Sequence, residues 1–225
     1  MNYLKSLPDK AFDLAIMDPP YGLNIGKYKT MGKGSAAKTN CFTFFKKGNW
    51  DNDIPSREYF DELFRVSKNQ IIWGANYFSG IVDFSSFSWL VWKKLHINEG
   101  LSFSMGELAV YSGKKKLMIF ECFHDGNMFS TNPRLAKARA KIHQCQKPVK
   151  LYKWLLKSYA ENGCSVLDTH LGSGSICLAC HDGGFKLTGI ELDPDYYAGA
   201  RQRLINYQAQ GNLNFANPQS TPKHI

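Results

Sequence analysis

The chain has 225 residues, 44% of them hydrophobic, and a formal charge of +9. That length suits one α/β domain with a full core, and no stretch approaches the ~20 consecutive apolar residues of a membrane span. Met1-Asn2-Tyr3-Leu4-Lys5 lacks the long apolar core of a signal peptide, which reads as a cytoplasmic protein. The charge is unevenly spread: residues 22–50 hold +6 with no acid, residues 112–150 hold +7, and the rest of the chain is at −4. Two basic segments on a mildly acidic body point to a nucleic-acid partner, with solvated lysine-rich loops as the plainer alternative.

In chain order, Phe12–Met17 is a short apolar strand that runs into Asp18-Pro19-Pro20-Tyr21. Residues 22–52 read as a long basic loop, broken by Gly26, Gly32, Gly34 and Gly48. Pro55-Ser56 opens a helix with Tyr59, Phe60, Leu63 and Phe64 on one face. Strands are expected at Gln70–Tyr77, Ser88–Lys93 and Gly106–Ser112. Residues 113–146 show no steady period. Pro148 opens a helix with Leu151, Tyr152, Leu155 and Tyr159 on one stripe, ended by Gly163. Ser165–Asp168 is a buried strand, residues 175–182 a helix, and Lys186–Leu192 another strand. Asp193-Pro194 caps a last helix, and the tail over 212–225 is polar and reads as disordered. Strands alternating with helices imply a mostly parallel sheet with helices on both faces.

Six cysteines in a chain of this size do not form a disulfide framework. Cys177-Leu178-Ala179-Cys180-His181 matches a haem-attachment spacing. It sits at a helix start with no export signal, however, and reads as buried structural thiols. No second close cysteine pair accompanies it, so no metal site is expected.

The segment from Val166 to Gly174 is strand, acid (Asp168), Gly172-Ser173-Gly174, then helix. Such glycines let a ligand approach the backbone, and the helix start offers free N–H groups. Glu191 ends the next strand about 20 residues on, the place of an acid that binds ribose hydroxyls. A dinucleotide fingerprint would carry a third glycine where this chain has Cys177. A nucleoside ligand without phosphates fits better, S-adenosylmethionine first, with Asp168 either facing its cationic end or merely terminating the strand.

Taken together, Asp18-Pro19-Pro20-Tyr21, His143-Gln144-Cys145-Gln146-Lys147-Pro148, Asp168 to Gly174 and Ile72 to Phe78 resemble the motifs of amino-group DNA methyltransferases of the adenine-N6 type. The resemblance covers residues 3 to 207. With the catalytic motif first and the cofactor turn last, it is similar to the circularly permuted β group. It implies a Rossmann-like S-adenosylmethionine-dependent fold in one domain over 1–211. Within it, 113–146 would be a short target-recognition segment and 147–211 the cofactor-binding part.

The resemblance implies Asp18, Pro19, Pro20 and Tyr21 as catalytic residues. Asp168, Gly172, Ser173, Gly174, Glu191 and Lys147 would hold S-adenosylmethionine, with no metal. DNA is the implied substrate, a restriction endonuclease a possible partner, and monomer or homodimer the expected state. N4-cytosine methylation and a non-catalytic nucleic-acid-binding subunit are the alternatives. Asp18 favours adenine, since related cytosine enzymes more often place serine there.

Two departures stand out. Thr169-His170 replaces the family's usual Pro-Phe pair. Similar enzymes also carry a strand before the opening helix, so about ten residues are expected upstream of Met1.

In the implied chemistry, the Asp18 carboxylate and Pro19 carbonyl accept the two N–H bonds of the target amine, and Tyr21 gives the base an aromatic face. Tyr28 or Phe42, Phe44 and Phe45 would close over it, ordinary loop packing being the plainer reading of those phenylalanines.

Overall fold

In the computed structural model, the residues described are 1–24, 50–95, 104–123, 143 and 145–214, with side chains to 209. Tyr28, Phe42, Phe44, Phe45 and most of the 22–52 loop lie outside them, as do 124–142 of the expected recognition segment and the tail beyond 214.

Alternation along β1 (Phe12–Met17) sends Leu14 and Ile16 to one face of a sheet and Ala15 and Met17 to the other, while Phe12 at the strand start joins the core of the latter, all buried. A strand buried on both faces belongs in the middle of a layered α/β fold. It pairs in parallel with β2 (Ser67–Trp73) on one side and β6 (Ser165–Asp168) on the other. The complete sheet adds β3 (Ser88–Leu95), β4 (Gly106–Tyr111), β5 (Met118–Phe123) and β7 (Lys186–Gly189). Its order is β5-β3-β4-β2-β1-β6-β7. β4 runs antiparallel to both neighbours, and the other pairings are parallel.

Helices cover both faces. On one side, α1 (Asn2–Ser6) and α2 (Arg57–Val66) bury Leu4, Tyr59, Phe60 and Leu63 against Ala15, Met17 and Ile72. Ser56 caps α2 by accepting the Tyr59 N–H, as Pro-Ser predicts. On the other side, α3 (Val149–Tyr159) and α4 (Ser175–Gly183) pack Leu151, Leu155, Ile176 and Ala179 against Leu14, Ile16, Ile71 and Trp73. α5 (Pro194–Asn214) follows β7, so the last helix reaches two residues past the expected start of the tail. Among the described residues no helix is long and apolar enough to cross a membrane.

Three elements differ from expectation. β2 begins at Ser67 and stops at Trp73. Gly74 then takes a left-handed conformation (φ 70°), and Ala75–Tyr77 form a 3-10 turn where strand was expected. β5 falls inside 113–146 because it is an edge strand exposed along most of its length, so its apolar residues do not alternate. The stretch left for target recognition is correspondingly shorter. β7 ends at Gly189, three residues early.

Cys180 is buried on α4 and Cys177 half-buried beside it, both as free thiols. No group of His, Cys, Asp or Glu among the described residues could hold a metal.

Candidate active site

Parallel pairing aligns the carboxyl ends of β1, β2 and β6, where open α/β sheets bind ligands. Asp18, Gly74 and Thr169 each leave one of those ends. The proline pair at 19–20 cannot continue the ladder, so the chain turns away with Asp18 at the rim.

Asp51 fixes that turn from the far side of the long loop. Its Oδ1 accepts the N–H groups of Tyr21 (2.8 Å) and Gly22 (3.1 Å), and its carbonyl accepts the Asn24 N–H. Tyr21 then donates its hydroxyl to Asp18 Oδ1 at 2.6 Å. Its ring stacks on Tyr77 (centroids 4.9 Å, 16° between planes) and meets the edge of Phe78. Gly74 lies so close that a Cβ there would overlap the Tyr21 ring.

The same Asp18 Oδ1 lies 2.5 Å from the Lys147 ammonium, which also sits 3.0 Å from Glu107 Oε2. Lys147 was expected at the methionine end of the cofactor, but it lies on the catalytic side, buried against Asp18. Burial works against its charge, yet the Asp18 and Glu107 carboxylates outweigh that and hold its pKa above the usual lysine range. Burial raises Asp18, with Lys147 opposing. Burial also acts on Glu107, but Lys147 and Lys94 bring its carboxyl down to about 2. Among the described residues no donor reaches Asp18 Oδ2, and no N–H occupies the Pro19 carbonyl.

The second half of the site is the turn after β6. Asp168 is 1% exposed, and its Oδ1 accepts the His170 N–H at 2.9 Å. Burial, supported by the nearby Asp18 and Glu191 charges, raises it to about 7. Among the described residues it forms no ion pair. A buried carboxylate short of a cation, beside a glycine turn and a helix N-terminus, fits the aminoacyl end of S-adenosylmethionine.

Glu191 braces the turn, its Oε2 accepting Gly172 N–H (2.7 Å) and its Oε1 Asp193 N–H (2.9 Å). Each oxygen retains a lone pair for a ribose hydroxyl. Gly174 starts α4 at φ 66°, where a Cβ would run into Ala200 of α5. Ser173 is buried, and its carbonyl is held by Arg203. The His143 ring lies against Gly172 and packs on Tyr196 and Trp50, so the segment before α3 does border the cofactor turn.

Thr169-His170 has a local explanation. Thr169 Oγ1 is 2.5 Å from the Tyr59 hydroxyl and 3.0 Å from His170 Nδ1. A polar pair thus ties the β6 turn to α2, and burial keeps His170 neutral, with a pKa of about 4.

Asp51, Tyr77, Glu107 and Lys94 complete the site without having been marked in the sequence. Their partners lie far away in the chain or depend on an αL turn. The one usable signal was a Glu within the otherwise apolar GELAVY strand.

Residues 91–202 match the family model described as DNA methylase. The Type II methyltransferase M.HpaI of Haemophilus parainfluenzae is 25% identical over 234 residues, spanning 89% of this chain and 70% of the relative. Among solved structures, the M1.HpyAVI–SAM complex superposes with a TM-score of 0.55 at 19% identity, over 90% of this chain and 92% of the other. PvuII DNA methyltransferase (cytosine-N4-specific) gives 0.56 at 13%, over 93% and 87%. At those identities the structures speak for the fold, a Rossmann-like α/β methyltransferase sheet, while the family match and the relative carry the assignment. The family match and the Type II methyltransferase relative together support a DNA methyltransferase of this family.

Proposed function

We propose that this DNA methyltransferase acts on the exocyclic N6 amine of an adenine extruded from the duplex, through Asp18, Pro19, Pro20 and Tyr21. One observation carries the reading. Asp18 Oδ1 is filled by Lys147 and Tyr21, while among the described residues nothing occupies Oδ2 or the Pro19 carbonyl at the same strand end.

An adenine amine is a poor nucleophile because its lone pair is delocalised into the ring. Two fixed acceptors on its two N–H bonds favour the tetrahedral geometry in which the lone pair is released. Fixed groups need no reorganisation, and such contacts are worth about 10²–10³ in rate. The prolines and Asp51 set those acceptors in advance. Bound S-adenosylmethionine supplies an activated sulfonium methyl. The amine nitrogen forms the new N–C bond as the S–C bond breaks, its electrons staying on sulfur. The proton shed by the nitrogen has Asp18 Oδ2 as its nearest acceptor, and from there it passes to solvent.

The base would come to rest against Tyr21 by displacing Tyr77, the 42% exposed member of the stack. Asp168, Gly172, Ser173, Gly174 and Glu191 would hold the cofactor, and Lys147 would act on Asp18. The chain order of the two halves fits the permuted β group. Phosphate contacts fall to the two basic segments.

N4-cytosine methylation uses the same geometry on a different amine. Asp rather than Ser at position 18 is what favours adenine. The test is incubation with S-adenosylmethionine and unmethylated genomic DNA, digestion to nucleosides and mass spectrometry. N6-methyladenine is expected; N4-methylcytosine would move the target to cytosine, and no methylated base would overturn the reading.

A further inference from the structure

A line of alternating charges leads from Asp18 into the sheet. Lys147, just before α3, sits between Asp18 and Glu107 of β4. Glu107 Oε1 in turn lies 2.6 Å from the ammonium of Lys94 at the end of β3. Lys147 and Lys94 are 4% and 8% exposed, their ammonium groups over the rings of Trp73 and Trp92.

Asp18 and Lys147 already neutralise one another. Burying a second pair behind them carries a desolvation cost that apolar residues of similar size would avoid, so the fold alone does not call for Glu107 and Lys94. Their effect is on Lys147. An ammonium committed wholly to Asp18 would draw that carboxylate's charge toward Oδ1 and weaken Oδ2 as an acceptor. A second carboxylate shares the ammonium and keeps Asp18 basic, and acceptor strength follows basicity. Lys94 keeps Glu107 ionised while it does so.

We propose that Glu107, backed by Lys94, is a positioning residue that shares Lys147 with Asp18 and thereby keeps Asp18 a strong acceptor for the target amine. This rests on the role given to Asp18 above. Among the described residues the titratable groups facing Asp18 are Lys147 before α3, Tyr152 on α3, Tyr21 on its own turn, Glu107 on β4, Cys145 and, at the end of β6, Asp168. Of these, Glu107 is the carboxylate that touches the same ammonium.

The test compares wild type with Glu107→Gln and with the double variant Lys94→Met/Glu107→Gln, in which no lysine is left facing an absent partner at β3. Two readouts are taken: the ¹³C titration of the Asp18 carboxyl, which needs no activity, and the single-turnover methyl-transfer rate alongside S-adenosylmethionine affinity. In both variants Asp18 should titrate at lower pH than in wild type. Transfer should slow by about 10- to 100-fold, the usual range for a supporting partner, with cofactor affinity unchanged. The double variant should regain thermal stability without regaining rate. An unmoved Asp18 titration, or a rate that recovers together with stability, would overturn the proposal and leave Glu107 a purely structural partner of Lys94. Should wild type methylate no DNA while the Asp18 titration still shifts downward, the coupling stands and the role of Asp18 in catalysis fails.

Discussion

Two carboxylates at neighbouring strand ends are driven in different directions by their surroundings. Asp18 has Lys147 at 2.5 Å and works as a paired acceptor. Asp168 forms no ion pair among the described residues, and its burial lifts it to about 7 against the more distant Lys147 charge. The sign follows from that. Below pH 7 the free protein holds Asp168 protonated, and a cationic ligand can pair with it only after the proton leaves. S-adenosylmethionine binding at pH 6 should therefore release a proton, and affinity should fall about tenfold per pH unit below 7. Calorimetry in buffers of different ionisation enthalpy measures the proton count. Asp168→Asn should abolish the release, and a pH-independent wild type would remove Asp168 from the ammonium subsite. At this scale the motifs marked residues that the fold brings to neighbouring strand ends, as with Asp18, Tyr21, Asp168 and Glu191. The sequence was not legible for Asp51 or Glu107, whose partners lie roughly 13 to 40 residues away in the chain. Lys147 was marked for the cofactor, and its contact with Asp18 was not legible, because spacing in a motif does not say which way a side chain turns.

At the scale of elements, periodicity located β1, α2, α3 and β6 because each buries a regular apolar stripe. It failed at β5, an edge strand with little to bury, and at the end of β2, where one glycine turns strand into 3-10 helix. That glycine matters to the site. Gly74 adopts φ 70° and leaves the space in which the Tyr21 ring lies. Gly74→Ala adds a left-handed strain of about 1–2 kcal/mol and forces the ring off its place. We expect a lower melting temperature and a loss of about tenfold or more in methyl transfer, since small misplacements of a reacting group are costly. S-adenosylmethionine binding should be retained, because the β6 turn is untouched. Loss of cofactor affinity equal to the loss of rate would place the damage elsewhere.

In the whole molecule, chain order and spatial order part company. The catalytic turn comes at residue 18 and the cofactor turn at residue 168, yet β1 and β6 are adjacent strands. The sheet thus assembles from distant segments a site that neither segment contains. The charge pattern is a whole-chain property as well. With +13 in two segments against −4 elsewhere, DNA binding should be strongly salt-dependent. Six to ten phosphate contacts would cost about 10³–10⁵ in affinity between 50 and 200 mM salt, measurable by fluorescence anisotropy, and a flat response would remove the basic segments from the interface. All of this converges on Asp18 as the group that readies the amine. The most direct test is the single-turnover methyl-transfer rate of Asp18→Ala, measured with cofactor and DNA affinities alongside. The account predicts a loss of about 10²–10³ or more in rate with both partners still bound. A rate within a few-fold of wild type would contradict it.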